Sequence, residues 1–147
     1  MKQVKHSQIN TFSLVTASLC FAIPLCLTGF FFALALVPNF REVKVRFEPD
    51  EFKIKGIYGV TIPYAEMERV DTVHHIPAIS LRTNGYALGK TLIGNFKFFD
   101  DRRSKLFIKK GFAPYVLIEA KGMVPVYINF ENEQKTIDLY NELKNKR

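Results

Sequence analysis

No charged side chain occurs between Ser7 and Phe40. That gap excludes an ordinary solvated surface there, and within it residues 12–37 are almost wholly apolar. A helix of that length, at ~1.5 Å per residue, reaches ~39 Å, against a hydrocarbon core of ~30 Å. The run is too short for two spans. Its polar members are Ser and Thr, which can bond to their own helix backbone. Pro24 and Gly29 lie inside it, and transmembrane helices tolerate both with a kink. One transmembrane helix is expected over 12–37.

Cysteine is almost as scarce. Cys20 and Cys26 both fall in the apolar run, where they serve as small apolar fillers. Leu19 and Leu25 precede them, where a lipoprotein acceptor needs a small residue. The chain after residue 41 has no cysteine, which excludes a disulfide framework and a cysteine zinc site. No internal repeat or low-complexity tract is present.

A cleaved secretory signal is the rival account of the amino terminus. Lys2 and Lys5 give it a positive start, and Ala33-Leu34-Ala35 gives it a small-residue site. A signal core runs ~7–15 residues, and this one is longer, which favours a retained anchor. Arg41, Lys44, Arg46, Lys53 and Lys55 follow the span, outnumbering the cations before it. The positive-inside rule then predicts a cytoplasmic domain. The chain is thus read as a tail (1–11), a span (12–37), a juxtamembrane linker (38–42) and one domain (43–147).

The domain reads as mainly β. Lys44-Val45-Arg46-Phe47 and Phe52-Lys53-Ile54-Lys55 alternate polar and apolar residues around a Pro49-Asp50 turn. A strand is expected over 57–62, with Pro63 marking an edge, end or bulge. Further strands are expected over 67–73 and 79–83. Asn84-Gly85 is a hairpin signal, with 86–92 pairing back and 94–98 continuing or bending the sheet. Asp100 to Ser104 reads as a charged turn. Residues 106–109, 115–119 and 125–130 complete the strands, the last two flanking a Lys121-Gly122 turn. The period then changes. Ile137, Tyr140 and Leu143 form an apolar face with Leu139 beside them, which predicts a helix over 133–144 capped by Asn132. A bent sheet or open barrel plugged at one end by that helix buries both apolar surfaces.

The run Ile54-Lys55-Gly56-Ile57-Tyr58-Gly59-Val60-Thr61-Ile62-Pro63-Tyr64-Ala65-Glu66-Met67 resembles the opening of bacterial pleckstrin-homology (PH) domains. So does Leu81-Arg82-Thr83-Asn84-Gly85 with the glycine-spaced stretch 86–96, and Ile128-Asn129-Phe130 before a helix containing Leu139-Tyr140-Asn141-Glu142-Leu143. The resemblance covers nearly all of 43–143. It implies a PH-like barrel capped by the helix, and membrane anchors are common beside such domains in bacterial relatives. Single-pass insertion in a bacterial inner membrane is the implied location. A PH-like fold is a platform for varied partners, so it implies binding or scaffolding without naming a ligand.

Motifs for catalysis are weak. Gly85-Tyr86-Ala87-Leu88-Gly89-Lys90-Thr91 falls one residue short of a phosphate loop and precedes an extended stretch, not a helix. His74 and His75 sit near Asp71, but neighbours on a strand point to opposite faces, and no further histidine follows. No nucleophile-elbow sequence surrounds Ser80. A small enzyme using Asp71, His74, His75 and Ser80 is the alternative function class. The sequence points instead to no catalytic residue, no cofactor and no metal.

Charge is more informative. From Arg41 onward, 19 Lys and Arg face 14 Asp and Glu. Lys97, Arg102, Arg103, Lys105, Lys109 and Lys110 cluster in one hairpin region, the candidate surface for an anionic lipid or a protein partner. Near an anionic leaflet each cation adds ~1 kcal/mol of attraction. Interspersed acids and the moderate total disfavour nucleic acid. Phe98 and Phe99 are adjacent, so one of them must leave the core of a regular strand.

Overall fold

The structure, a computed structural model, describes residues 42–147 together with Thr28 and Gly29, which lie in a helix. The chain divides into two units, Met1–Arg41 and Glu42–Arg147. The expected span over 12–37, with Cys20, Pro24, Cys26 and the Ala33–Ala35 site, lies outside the described residues apart from those two. Among the described residues no helix is long and apolar enough to cross a membrane.

The second unit is mainly β with one carboxyl-terminal helix. Its first three strands, β1 (Lys44–Phe47), β2 (Glu51–Lys55) and β3 (Val60–Pro63), form an antiparallel sheet in that order. Phe52 and Ile54 alternate with charged residues along β2, so one face is buried and the other solvated. β3 is an edge strand, and Pro63 closes it, which spares the sheet a missing donor.

Six strands make the larger sheet: β4 (Met67–Val73), β5 (Ile79–Leu88), β6 (Thr91–Phe98), β7 (Arg103–Lys109), β8 (Tyr115–Ala120) and β9 (Val126–Ile128). Their order is β4-β8-β9-β7-β6-β5. All pairs are antiparallel except β7 with β9.

Partners in register share a face, so the two faces can be followed across the sheet. Phe107, Val116, Ile118, Val126, Ile128 and Val70 form the front face. They pack with Phe52, Ile54 and Ile62 of the small sheet and with Leu139 and Leu143 of α1 (Glu133–Lys146). Leu92, Phe96, Phe98, Leu106, Ile108, Tyr115, Leu117 and Tyr127 form the back face and a second core.

The back face closes largely on itself. Phe98 on β6 and Tyr127 on β9 are two strands apart, ~10 Å in a flat sheet, yet their ring centroids are 5.9 Å apart, edge to face. The connection from Val73 to Ile79 spans at most ~21 Å, while the flat distance between edges β4 and β5 is ~24 Å. The sheet therefore curls with its back face inside, and Ile76 of that connection packs onto the second core.

α1 begins where Asn132 caps it: the Asn132 side chain accepts from Lys135 N at 3.1 Å. Its buried face is Thr136, Leu139 and Leu143, with Tyr140 half-buried. Ile137, expected on that face, is only half-buried. Thr136 takes the first position because its Oγ1 accepts from Phe130 N at 3.0 Å, tying the helix start to the exit of β9.

One expected turn is overturned. Asn84-Gly85 makes no hairpin: β5 runs straight through it, and the turn falls at Gly89-Lys90. Gly89 has φ +55° and Lys90 has negative φ, the pattern of a two-residue II′ hairpin. Gly85 instead lies opposite Gly94. A Cβ on Gly85 would strike the Ile93 carbonyl oxygen, and one on Gly94 the Asn84 carbonyl oxygen. The two glycines let the strands approach closely, and that contact outweighs the local turn preference.

Candidate functional site

The six cations of the hairpin region separate into two groups. Lys97 on β6 and Arg103 on β7 are register partners on the front face, and Lys105 follows two residues on. Arg102 lies in the turn just before. Lys109 and Lys110 sit at the far end of β7, ~20 Å along the strand from Arg103. The Lys109 side chain is largely covered, with Nζ 3.0 Å from Glu131. Lys110 donates its backbone N–H to the Lys90 carbonyl at 2.7 Å.

Two carboxylates in the β6–β7 turn neutralise two members of the first group. Asp101, at φ +66°, brings Oδ1 to 2.6 Å from Lys97 Nζ. Asp100 Oδ2 accepts from Arg102 Nε at 2.9 Å and Nη2 at 2.7 Å. That pairing holds the Asp100 carboxyl below the usual carboxylate range and the Arg102 guanidinium above its own. Among the described residues, Arg103 and Lys105 have no carboxylate partner, and neither does Arg82 on β5. Lys97 and Arg103 are like charges directly opposite each other, which costs stability, and the Asp101 carboxylate at Lys97 offsets that repulsion.

The charge is concentrated in this meander. Residues 79–110 contain eight Lys or Arg and only two acids, Asp100 and Asp101. The rest of 42–147 carries 10 Lys or Arg and 12 Asp or Glu. Apolar surface accompanies the cations. Phe98 is in the second core, while Phe99, at the turn, is 75% exposed. Leu81 is 57% exposed beside Lys97, its register partner.

Sequence reasoning missed a second charged group. Arg69 on β4 sits opposite Glu119 on β8. Arg69 Nη2 is 2.8 Å from Asp71 Oδ2, and Nη1 is 3.7 Å from Glu119 Oε2. The Arg69 hydrogen bond, then the Thr72 N–H at 2.8 Å, lowers the Asp71 pKa. Tyr127 lies under this group on the back face, and burial raises its hydroxyl pKa. The only sequence signal was the i, i+2 spacing of Arg69 and Asp71; Glu119 joins them through strand register.

Asp71 is held by Arg69, and Ser80 Oγ donates to the Lys97 and Phe98 carbonyls, both at 3.0 Å. His74 and His75 are exposed on the β4–β5 connection. Ser80 is not hydrogen-bonded to either histidine, and the described residues hold no group of three metal-ligating side chains. Comparison with family models, with curated proteins and with solved structures found no match of any kind.

Proposed function

We propose that this chain is a membrane-tethered, non-catalytic binding module whose second unit is a PH-like barrel that meets an anionic partner at the membrane surface. The observation carrying the reading is the charge asymmetry of 42–147. Its excess cations lie on β5, β6 and β7 and their turns, and its only acids there are already paired. An anion approaching Arg103 and Lys105 on the front face gains attraction without displacing an intramolecular carboxylate. The uncharged run over 12–37 supports the tether. The mainly β architecture with one closing helix supports the barrel.

Two experiments test it. The full-length chain should stay with membranes after alkaline washing; release into the supernatant removes the tether. Residues 42–147 carry both cores and the helix, so they can be studied alone. They should co-sediment with phosphatidylserine vesicles more than with neutral ones, and lose the difference in high salt. Equal recovery on both vesicle types removes the headgroup contact.

A further inference from the structure

β5 is ten residues long, lies at the edge of the six-stranded sheet and pairs only with β6. Ser80, Leu81, Arg82, Thr83 and Asn84 are all exposed, so both faces of its first half meet solvent. Leu88, near its other end, is 51% exposed. The free edge can be located residue by residue. In a two-residue hairpin the residues flanking the turn, Leu88 and Thr91, exchange hydrogen bonds, and the pattern alternates from there. Tyr86 therefore bonds inward to Ile93, while Gly85 and Ala87 turn their N–H and C=O outward.

Resting on the binding-module reading above, we propose that β5 accepts an extended acidic segment of a partner protein as a seventh strand. A sheet edge offers a row of donors and acceptors that a peptide backbone satisfies and a lipid headgroup does not. Charge selects the peptide. Lys97 lies one strand in from the edge and Arg103 and Lys105 beyond it, all on the front face, while Arg82 on the edge shares the back face of its register partner Phe96; none of the three strands carries an acid. Alternate side chains of an added strand share a face, so acidic residues on the front lie toward Lys97, Arg103 and Lys105 while the apolar residues between them lie on the back beside the exposed Ala87; a segment alternating acidic and apolar residues fits. Bulges at Ser80 and Thr83, whose hydroxyls bond to β6 carbonyls, direct pairing to the regular stretch from Asn84 to Leu88. A second copy of β5 brings no acid to this edge and fits it less well.

The test uses the full-length chain in neutral nanodiscs. The probe is a fluorescent ten-residue peptide of alternating Glu and Val, with an alternating Lys and Val peptide as control. Anisotropy should report binding of the Glu peptide alone, weakened by added salt. Ala87→Pro removes one outward N–H without touching the β6 ladder, and should weaken binding roughly tenfold, the upper range for one hydrogen bond. Arg103→Glu with Lys105→Glu keeps every described backbone bond and should also weaken binding, with a smaller salt response. Should Ala87→Pro alter the far-ultraviolet dichroism, this second variant decides. No binding of the Glu peptide, with phosphatidylserine vesicles still captured by residues 42–147, overturns the seventh strand and leaves the module reading standing. Failure of both removes both. Wild-type dimers that Ala87→Pro converts to monomers would assign the edge to a second copy and overturn the proposal.

Discussion

β8 and β5 belong to the same sheet and differ in almost everything. Tyr115, Val116, Leu117, Ile118 and Ala120 are buried on both faces of β8, with only Glu119 partly exposed. Along β5 no residue is fully buried. The curl explains the contrast. β8, β9 and β7 are covered in front by the small sheet and α1 and behind by the back face itself, while on β5 Ile79 reaches the second core and residues 80–84 are exposed. Stability is therefore held by the centre of the sheet, and surface chemistry by its edge. Substitutions that treat the two alike should have unequal effects.

The largest inequality should come from truncating one large side chain in each region. Phe107→Ala, on β7 in the first core, should cost about 3–5 kcal/mol by denaturant unfolding of residues 42–147. Leu81→Ala on β5 should stay within about 0.5 kcal/mol. Comparable losses would mean that β5 is covered and the contrast is false.

Glycines sharpen the comparison within β5 itself. Gly94→Ala places a methyl against the Asn84 carbonyl at φ +123°, and should cost about 2–4 kcal/mol from strain and overpacking together. Gly89→Ala meets open space at φ +55° and should cost only about 1 kcal/mol, the left-handed penalty. Equal costs would show that the strands do not need their close approach at residues 85 and 94.

These glycines also mark where the sequence was legible and where it was not. Regular alternation placed β1 on its observed bounds, because a half-buried strand writes its period directly into its residues; β4 fell on its expected bounds although its apolar residues recur every third position and a bulge interrupts its register after Met67. The helix was legible from Asn132 and the apolar spacing after it. Asn84-Gly85 misled because a dipeptide's turn preference is local, whereas the partner of Gly85 lies nine residues away. A signal was nevertheless present: Gly85 and Gly94 are equidistant from Gly89-Lys90, as a hairpin centred there requires. Non-local pairing left no such mark. Nothing in the sequence of β9 announces that it inserts between β7 and β8, parallel to β7. The six candidate cations, close in sequence, divide for the same reason: an extended strand carries residues 103 and 109 to opposite ends of the sheet.

A smaller effect should separate the helix start from both regions. Thr136 is fully buried and its hydroxyl accepts from Phe130 N. Thr136→Val keeps the shape and leaves that donor unpaired, so about 1–3 kcal/mol should be lost. Thr136→Ser should recover most of it. A Ser variant as unstable as the Val variant would attribute the effect to the methyl group's packing rather than to the hydrogen bond.

The smallest effect concerns the charged tip of the β6–β7 turn, where Arg102 holds the Asp100 carboxyl ionised to lower pH than usual. A depressed folded pKa contributes stability above the unfolded value, near pH 4, and that contribution disappears as pH falls through the folded value. Asp100→Asn should thus lower the unfolding midpoint slightly at pH 7. The gap between variant and wild type should narrow below about pH 4 as the wild-type carboxyl protonates. Exposure of both partners keeps the effect small, because solvent screens the pair. The same substitution frees Arg102 without touching Arg103 or Lys105, so binding of an anionic probe should strengthen at pH 7 while stability falls. A variant that loses stability equally at pH 3 and pH 7 would separate the turn's stability from its ion pair, and the turn would then owe its shape to the backbone at Asp101 instead.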